Sequence, residues 1–183
     1  MQTPSSQIPP DDIVAMIREA ANSVFSTMLN LPLENQAPRQ ESGDPDPVHG
    51  VVALVGIAGS WTGMGRMYCS AEFAQKVANA MLFAQHDSVN EEVLDSVAEI
   101  ANMIVGNVKT SLEERLGSLG LGVPTVIYGR NYQAHSANIT QWTVVPFRCA
   151  TENGVETMEV RFCLMPTRIS PRAAALRHEP VPA

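Results

Sequence analysis

The chain has 183 residues, enough for one compact domain with a real core but not comfortably for two. A hydrophobic share of 45% beside a charged share of 17% excludes a disordered protein. A formal net charge of −7 excludes a protein built to coat nucleic acid, which needs a basic footprint; ordinary solubility accounts for the acidity.

Residues 1–11 read as a disordered lead-in. It is polar, with no charged segment followed by an apolar one, so no secretory signal is expected. Pro10 and the pair Asp11/Asp12 mark a helix start, since Asp caps free N–H groups and suits the positive end of the dipole. Ile13, Met16, Ile17, Ala20, Val24, Met28 and Leu31 recur at helical spacing, which predicts an amphipathic helix ending near Pro32. The stretch 34–50, rich in Pro, Gly and charge, reads as a loop or tether. Val51–Gly59 reads as a buried strand. "GRMYCS" reads as a second strand, reached through the glycine-rich turn "GSWTGMG". Ser70 can cap a helix from Ala71 to about Phe83. "QHDSVN" breaks it, and either Ser88 or Asn90 can cap a long helix of about 26 residues, roughly 40 Å, closing at Gly117.

Three strands follow, "TVIYG", "NITQWTVVPFRC" and "VETMEVRFCLM", the last two joined through the hairpin signal Asn153-Gly154. The proline-rich tail 167–183 reads as disordered or only locally helical. These elements give an α+β domain over residues 12–166: an antiparallel sheet of about five to six strands layered with long helices, in a pattern that fits a duplicated helix–strand–strand unit. No apolar run approaches the roughly 20 residues needed to span a bilayer, and a cytoplasmic location is expected. Cys69, Cys149 and Cys163 lack C-x-x-C spacing and read as buried free thiols. The four histidines lack metal-ligand spacing, so no metal site is expected in this chain.

The long helix carries the chemistry. Val93, Leu94, Val97, Ile100, Ala101, Ile104, Val105, Val108 and Leu112 fall in one arc of a helical wheel, the core face. Asp95, Glu99, Asn102, Gly106 and Thr110 fall together on the opposite side. A solvated face explains the carboxylates but not an Asn and a Gly in mid-helix, where Gly costs about 1 kcal/mol against Ala. A docking face explains all of them. Glycine lets a foreign backbone approach, a carboxamide can orient a water by two hydrogen bonds, and a carboxylate can pair with a partner's lysine. There is no nucleophile–base pair, so any reaction here works by positioning, as the hydrolysis of an activated phosphoryl group does.

The segment "DSVAEIANMIVGN" resembles the signature of the CheC/CheX/FliY chemotaxis phosphatases, with Asp95 or Ser96, Glu99, Asn102 and Gly106 at the matching positions. "IREAANSVFSTML", "VALVGIAGSWTGMGRMYCSAEFAQKVANAML" and "GVPTVIYG" are similar to that family's first helix, strand-pair-plus-helix and post-helix strand, and one motif on the second long helix is most like the CheX branch. The resemblance implies a phosphatase acting on the aspartyl phosphate of a CheY-like receiver domain. Asn102 would orient the hydrolytic water and Glu99 would pair with the receiver's lysine. Asp95, Ser96, Met103 and Gly106 would contact the partner. It implies no cofactor in this chain, Mg²⁺ held by the receiver, and a homodimer joined through sheet edges. Glu19/Asn22 in the first helix repeat the E-x-x-N spacing, but Ala15 and Ser26 stand where the acid and the glycine would be, so they read as a remnant. The competing expectation is an adaptor that binds a receiver or a flagellar-switch-type assembly through the same face without catalysis. A small-molecule enzyme using Trp61 and Met64 lacks an accompanying acid–base set.

Overall fold

A computed structural model describes residues 8–43, 48–132, 141–152 and 154–167. The expected lead-in up to residue 7, the tail from residue 168 and Asn153 of the hairpin signal lie outside the described residues. Helix α1 (Pro10–Val24) starts two residues before the expected domain boundary. Pro10 supplies the pre-set φ of a first helical position, and no side chain caps the helix. Asp12 instead forms an ion pair with Arg115 of the long helix. A π-helical turn (Phe25–Leu29) and Asn30, in the left-handed region at φ 52°, end it close to the expected place.

Strands β1 (Leu33–Asn35) and β2 (Arg39–Ser42) come next, in the stretch expected to be a tether. Both pair antiparallel with β7 (Gln141–Thr151). Charge, not apolar pattern, builds β2. Arg39 bonds Glu41 at 2.6 Å and Glu159 at 2.8 Å, while Arg161 bonds Glu159 at 2.9 Å and also Glu41. Burial opposes ionisation of Glu41, but the Arg39 hydrogen bond and the Arg161 charge outweigh it and hold its carboxyl below the usual range.

Strand β3 (Val48–Gly59) pairs with β4 (Trp61–Cys69) in a hairpin that turns at Gly59-Ser60, so the expected glycine-rich turn is itself strand. Its glycines serve close packing: a Cβ at Gly63 would lie 2.2 Å from the Cys163 carbonyl oxygen. Helix α2 (Ala71–Leu82) follows, with Ser70 Oγ accepting from the Phe73 N–H at 3.0 Å. Then come α3 (Glu91–Leu116), β5 (Leu119–Leu121), β6 (Thr125–Tyr132), β7 and β8 (Gly154–Pro166). Strand β5 was not expected; three residues with a central glycine carry too little pattern to read.

All pairings are antiparallel, in an eight-stranded sheet of order β1-β7-β8-β4-β3-β5, with β2 also on β7 and β6 also on β3. Eight strands exceed the five to six expected because β1, β2 and β5 are short. The topology repeats itself. A helix precedes four strands twice (α1 with β1–β4, α3 with β5–β8), and each half lays its first two strands on the other half's sheet. The duplication expected from sequence is thus a helix plus four strands, with α2 inserted. The helices pack one face of the sheet into a single core that holds Phe25, Phe73, Ile100, Phe147 and Phe162. Trp61 packs on that core and Met64 on the opposite face, so the two residues do not share a pocket. Cys69, Cys149 and Cys163 are free and buried, and burial pushes the Cys69 and Cys163 thiols up to about 12. Among the described residues no helix is long and apolar enough to cross a membrane.

Candidate functional site

Helix α3 is held at both ends and in the middle. Asn90, not Ser88, caps it: its Oδ1 accepts from the Val93 N–H at 3.0 Å, and Glu91 and Glu92 occupy the positive first turn. At the far end Ser60 Oγ donates to the Leu116 carbonyl at 2.8 Å. Midway, Val105 sits on Gly65 of β4, where a Cβ would lie 2.3 Å from Val105 Cγ2. That missing side chain lets α3 lie close on the sheet. The arc Val93, Val97, Ile100, Ala101, Ile104, Val105, Val108 and Leu112 is buried, which fixes the rotation of the helix.

That rotation brings the expected row outward. Asp95, Glu99 and Thr110 are exposed, and Asn102 and Gly106 are half-buried on the same line. Glu99 and Asn102 are three residues apart, about 4.5 Å along the axis, and Gly106 is one turn further. Neither the Glu99 nor the Asn102 side chain makes a hydrogen bond or ion pair among the described residues. Met103, half-buried, leans against the core beside the row. Ser96 is a correction. It is 3% exposed and donates its hydroxyl to the Glu92 carbonyl at 2.8 Å, because one residue past Asp95 is a 100° turn toward the core. Of the Asp-or-Ser alternatives in the motif, Asp95 faces out.

The space at Gly106 decides between two accounts of that residue. A Cβ there would meet only Leu121 Cδ1, at 3.5 Å, an ordinary contact. The fold therefore has no need of a glycine at 106, in contrast to Gly65. The E-x-x-N repeat on α1 provides an internal comparison. Asn22 Nδ2 donates to the Arg18 carbonyl at 2.8 Å and to Asn35 Oδ1 at 3.1 Å, so this carboxamide is engaged in holding β1 to α1. Asn102 is not so engaged.

Two walls flank the row. On one side α1 and α3 enclose a shallow groove lined by Met16, Glu19, Ser23, Asn107, Thr110 and Ser111. On the other, Leu94, Asp95 and Ala98 face Pro124 and Val126 across a second groove. Sequence reasoning missed this second wall, because nothing local to Pro124 and Val126 says that the chain there folds back beside α3. Among the described residues no three His, Cys, Asp or Glu side chains converge as a metal cage requires. With the thiols buried and raised, the groups at the surface of the row are a carboxylate, a carboxamide and a bare stretch of backbone.

The sequence and the fold have counterparts among known proteins. Residues 51–148 match the sequence model of the family described as chemotaxis phosphatase CheX. The chain is 29% identical over 92 residues to the CheY-P phosphatase CheX of Thermotoga maritima, a match that spans 50% of this chain and 59% of that protein's length. It is similar to the crystal structure of a CheX from Desulfovibrio desulfuricans, with TM-score 0.69, 26% identity, 84% of this chain and 99% of the other covered. It is also similar to a chain of the CheX–CheY–BeF3–Mg²⁺ complex from Borrelia burgdorferi, with TM-score 0.70, 27% identity and coverage of 84% and 97%.

Proposed function

The chain belongs to the CheX chemotaxis phosphatase family, and from that premise we propose that it hydrolyses the aspartyl phosphate of a CheY-like receiver domain through the exposed row of α3. The observation that carries this reading is the Asn102 carboxamide. It has no hydrogen-bond partner among the described residues and stands one turn from a glycine that the fold does not require.

An aspartyl phosphate is already activated, so its hydrolysis needs a water held in line and stabilised charge more than covalent help. The Asn102 side chain reaches into the receiver, and its carbonyl oxygen accepts a hydrogen bond from the water. Its amino group donates to a neighbouring oxygen, which leaves the water's lone pair aimed at phosphorus. The water oxygen bonds to phosphorus as the bond from phosphorus to the aspartyl oxygen breaks. The products are the free carboxylate and inorganic phosphate, with the water's proton passing to the phosphate. Glu99 pairs with the receiver's lysine and fixes the register in which Asn102 arrives. Gly106 lets the receiver backbone come close. Mg²⁺ belongs to the receiver.

The test measures the lifetime of a receiver labelled with acetyl phosphate, with and without this protein. The wild type shortens it. Asn102→Ala loses about 100-fold or more of the rate, the scale expected for removing one preorganised hydrogen-bonding group, while still binding the receiver. Equal activity of wild type and Asn102→Ala on a confirmed partner sinks the mechanism. Binding by the wild type with no change in lifetime replaces it with the adaptor reading.

A further inference from the structure

The α3 row is too small to hold a receiver alone. Gly106 lies eleven residues after Asp95, about 16 Å further along a helix about 10 Å wide. Stable interfaces cover about 800 Å² per partner, several times that strip. A body seated on Asn102 must also rest on what flanks α3, and the two flanks differ. The α1 side presents Glu19, Ser23, Asn107, Thr110 and Ser111. The other side is the connection from β5 to β6. Leu121 lies against Gly106, and Pro124 lines the groove beside Asp95 and Ala98. The connection therefore runs back along α3, and Val123 lies in it between Leu121 and Pro124.

Val123 is 89% exposed and Leu121 37%. Their exposure is not slackness of the chain. The Leu119 N–H donates to Glu113 Oε1 at 2.8 Å, and Lys109 Nζ donates to the Leu119 carbonyl at 3.2 Å. The Gly122 N–H donates to the Gly56 carbonyl at 2.8 Å, and β6 begins directly after Pro124 with Thr125 opposite Leu54. A pinned backbone thus presents two branched apolar side chains to solvent beside an acidic row. Taking two such side chains out of water on docking stabilises the contact in proportion to the apolar area covered, while the charges around them set register.

We propose that Leu121 and Val123 form the apolar anchor of the receiver-docking surface, packing against apolar side chains that border the receiver's phosphorylation site. The proposal rests on the phosphatase reading of α3 and adds a division of labour: the anchor sets affinity and receiver choice, and Asn102 sets the rate. The occupant is the receiver and not a second copy of this chain, because a copy seated on the anchor would roof over Asn102.

The test uses the acetyl-phosphate-labelled receiver that the wild type dephosphorylates fastest, with Val123→Ser, the double variant Leu121→Ser/Val123→Ser and Asn102→Ala assayed side by side. The double variant raises KM about tenfold or more and leaves kcat within about twofold, as expected for lost anchor contacts. Val123→Ser shifts KM in the same direction with an unchanged melting temperature, which separates docking from folding. Asn102→Ala lowers kcat at constant KM. An unchanged KM for both serine variants, with Asn102→Ala still inactive, overturns the anchor and leaves the phosphatase reading standing. Loss of self-association in the serine variants at unchanged KM also overturns it, by giving the patch to a second copy. Absence of wild-type turnover on every receiver overturns both readings.

Discussion

Gly106→Ala separates what the fold needs from what the partner needs. The added methyl meets only Leu121 Cδ1, at 3.5 Å, and sits in an α-helix interior where Ala is favoured over Gly by about 1 kcal/mol. The variant is therefore expected to be more stable by about 0.5–1 kcal/mol, a rise of roughly 1–4 °C in melting temperature for a domain of this size. The same methyl stands on the row one turn from Asn102, where it holds the receiver backbone away. A displacement of about 1 Å at a reacting centre can cost on the order of 100-fold, so kcat/KM for receiver dephosphorylation is expected to fall at least about tenfold, or about 1.4 kcal/mol of transition-state stabilisation. Thermal melts and phosphoryl lifetimes on the same preparation read both effects. A lower melting temperature refutes the assignment of free space at Gly106. A raised melting temperature with full activity refutes the docking role of the glycine.

The opposite outcome is expected at Gly65→Ala, where the new methyl collides with Val105, a side chain with one preferred rotamer in a helix. Overpacking of this kind costs about 1–3 kcal/mol, read as a lower urea midpoint. Asn22→Ala should leave receiver dephosphorylation unchanged and lower stability by about 1 kcal/mol, the scale of a lost hydrogen bond; a large loss of phosphatase activity instead would make α1 a second site. Glu113 accepts from the Leu119 N–H and pairs with Lys109 at 2.8 Å, and these hold its carboxyl below the usual range. A depressed folded-state pKa stabilises at pH values above the ordinary carboxylate value, and that stabilisation is lost as pH falls through the folded value. The difference in urea midpoint between wild type and Glu113→Gln should thus hold steady from pH 7 to about pH 5 and shrink toward about pH 3; a difference that grows on acidification contradicts this coupling.

The central helix was legible because a period of 3.6 over 26 residues leaves little choice of face. Its wheel assigned both the buried arc and the outward line of Asp95, Glu99, Asn102 and Gly106. Ser96 was misplaced because a motif names positions and not directions. Strands β1 and β2 were illegible for a different reason. Apart from Leu33 their residues are charged or polar, and their stability comes from β7 and, for β2, from the Arg39–Glu41–Arg161–Glu159 ring, whose bonded pairs lie up to 120 residues apart. The glycines of β4 read as a turn because local preference says nothing of a helix and a neighbouring strand pressing from either side. The apolar anchor beside the site escaped notice because two exposed branched residues among glycines carry no signal until the chain is folded over α3.

The exchange of strands between the two halves bears on how the chain is made. As the first half leaves the ribosome, β1 and β2 have no β7 to lie on and β4 has no β8. About 100 residues separate the end of β4 from the end of β8, which at 5–20 residues per second means roughly 5–20 s of waiting with open strand edges. Neither half has all of its strand partners on its own. The sheet is complete only once β8 has emerged, and a shield against premature edge-to-edge association is most needed in that interval.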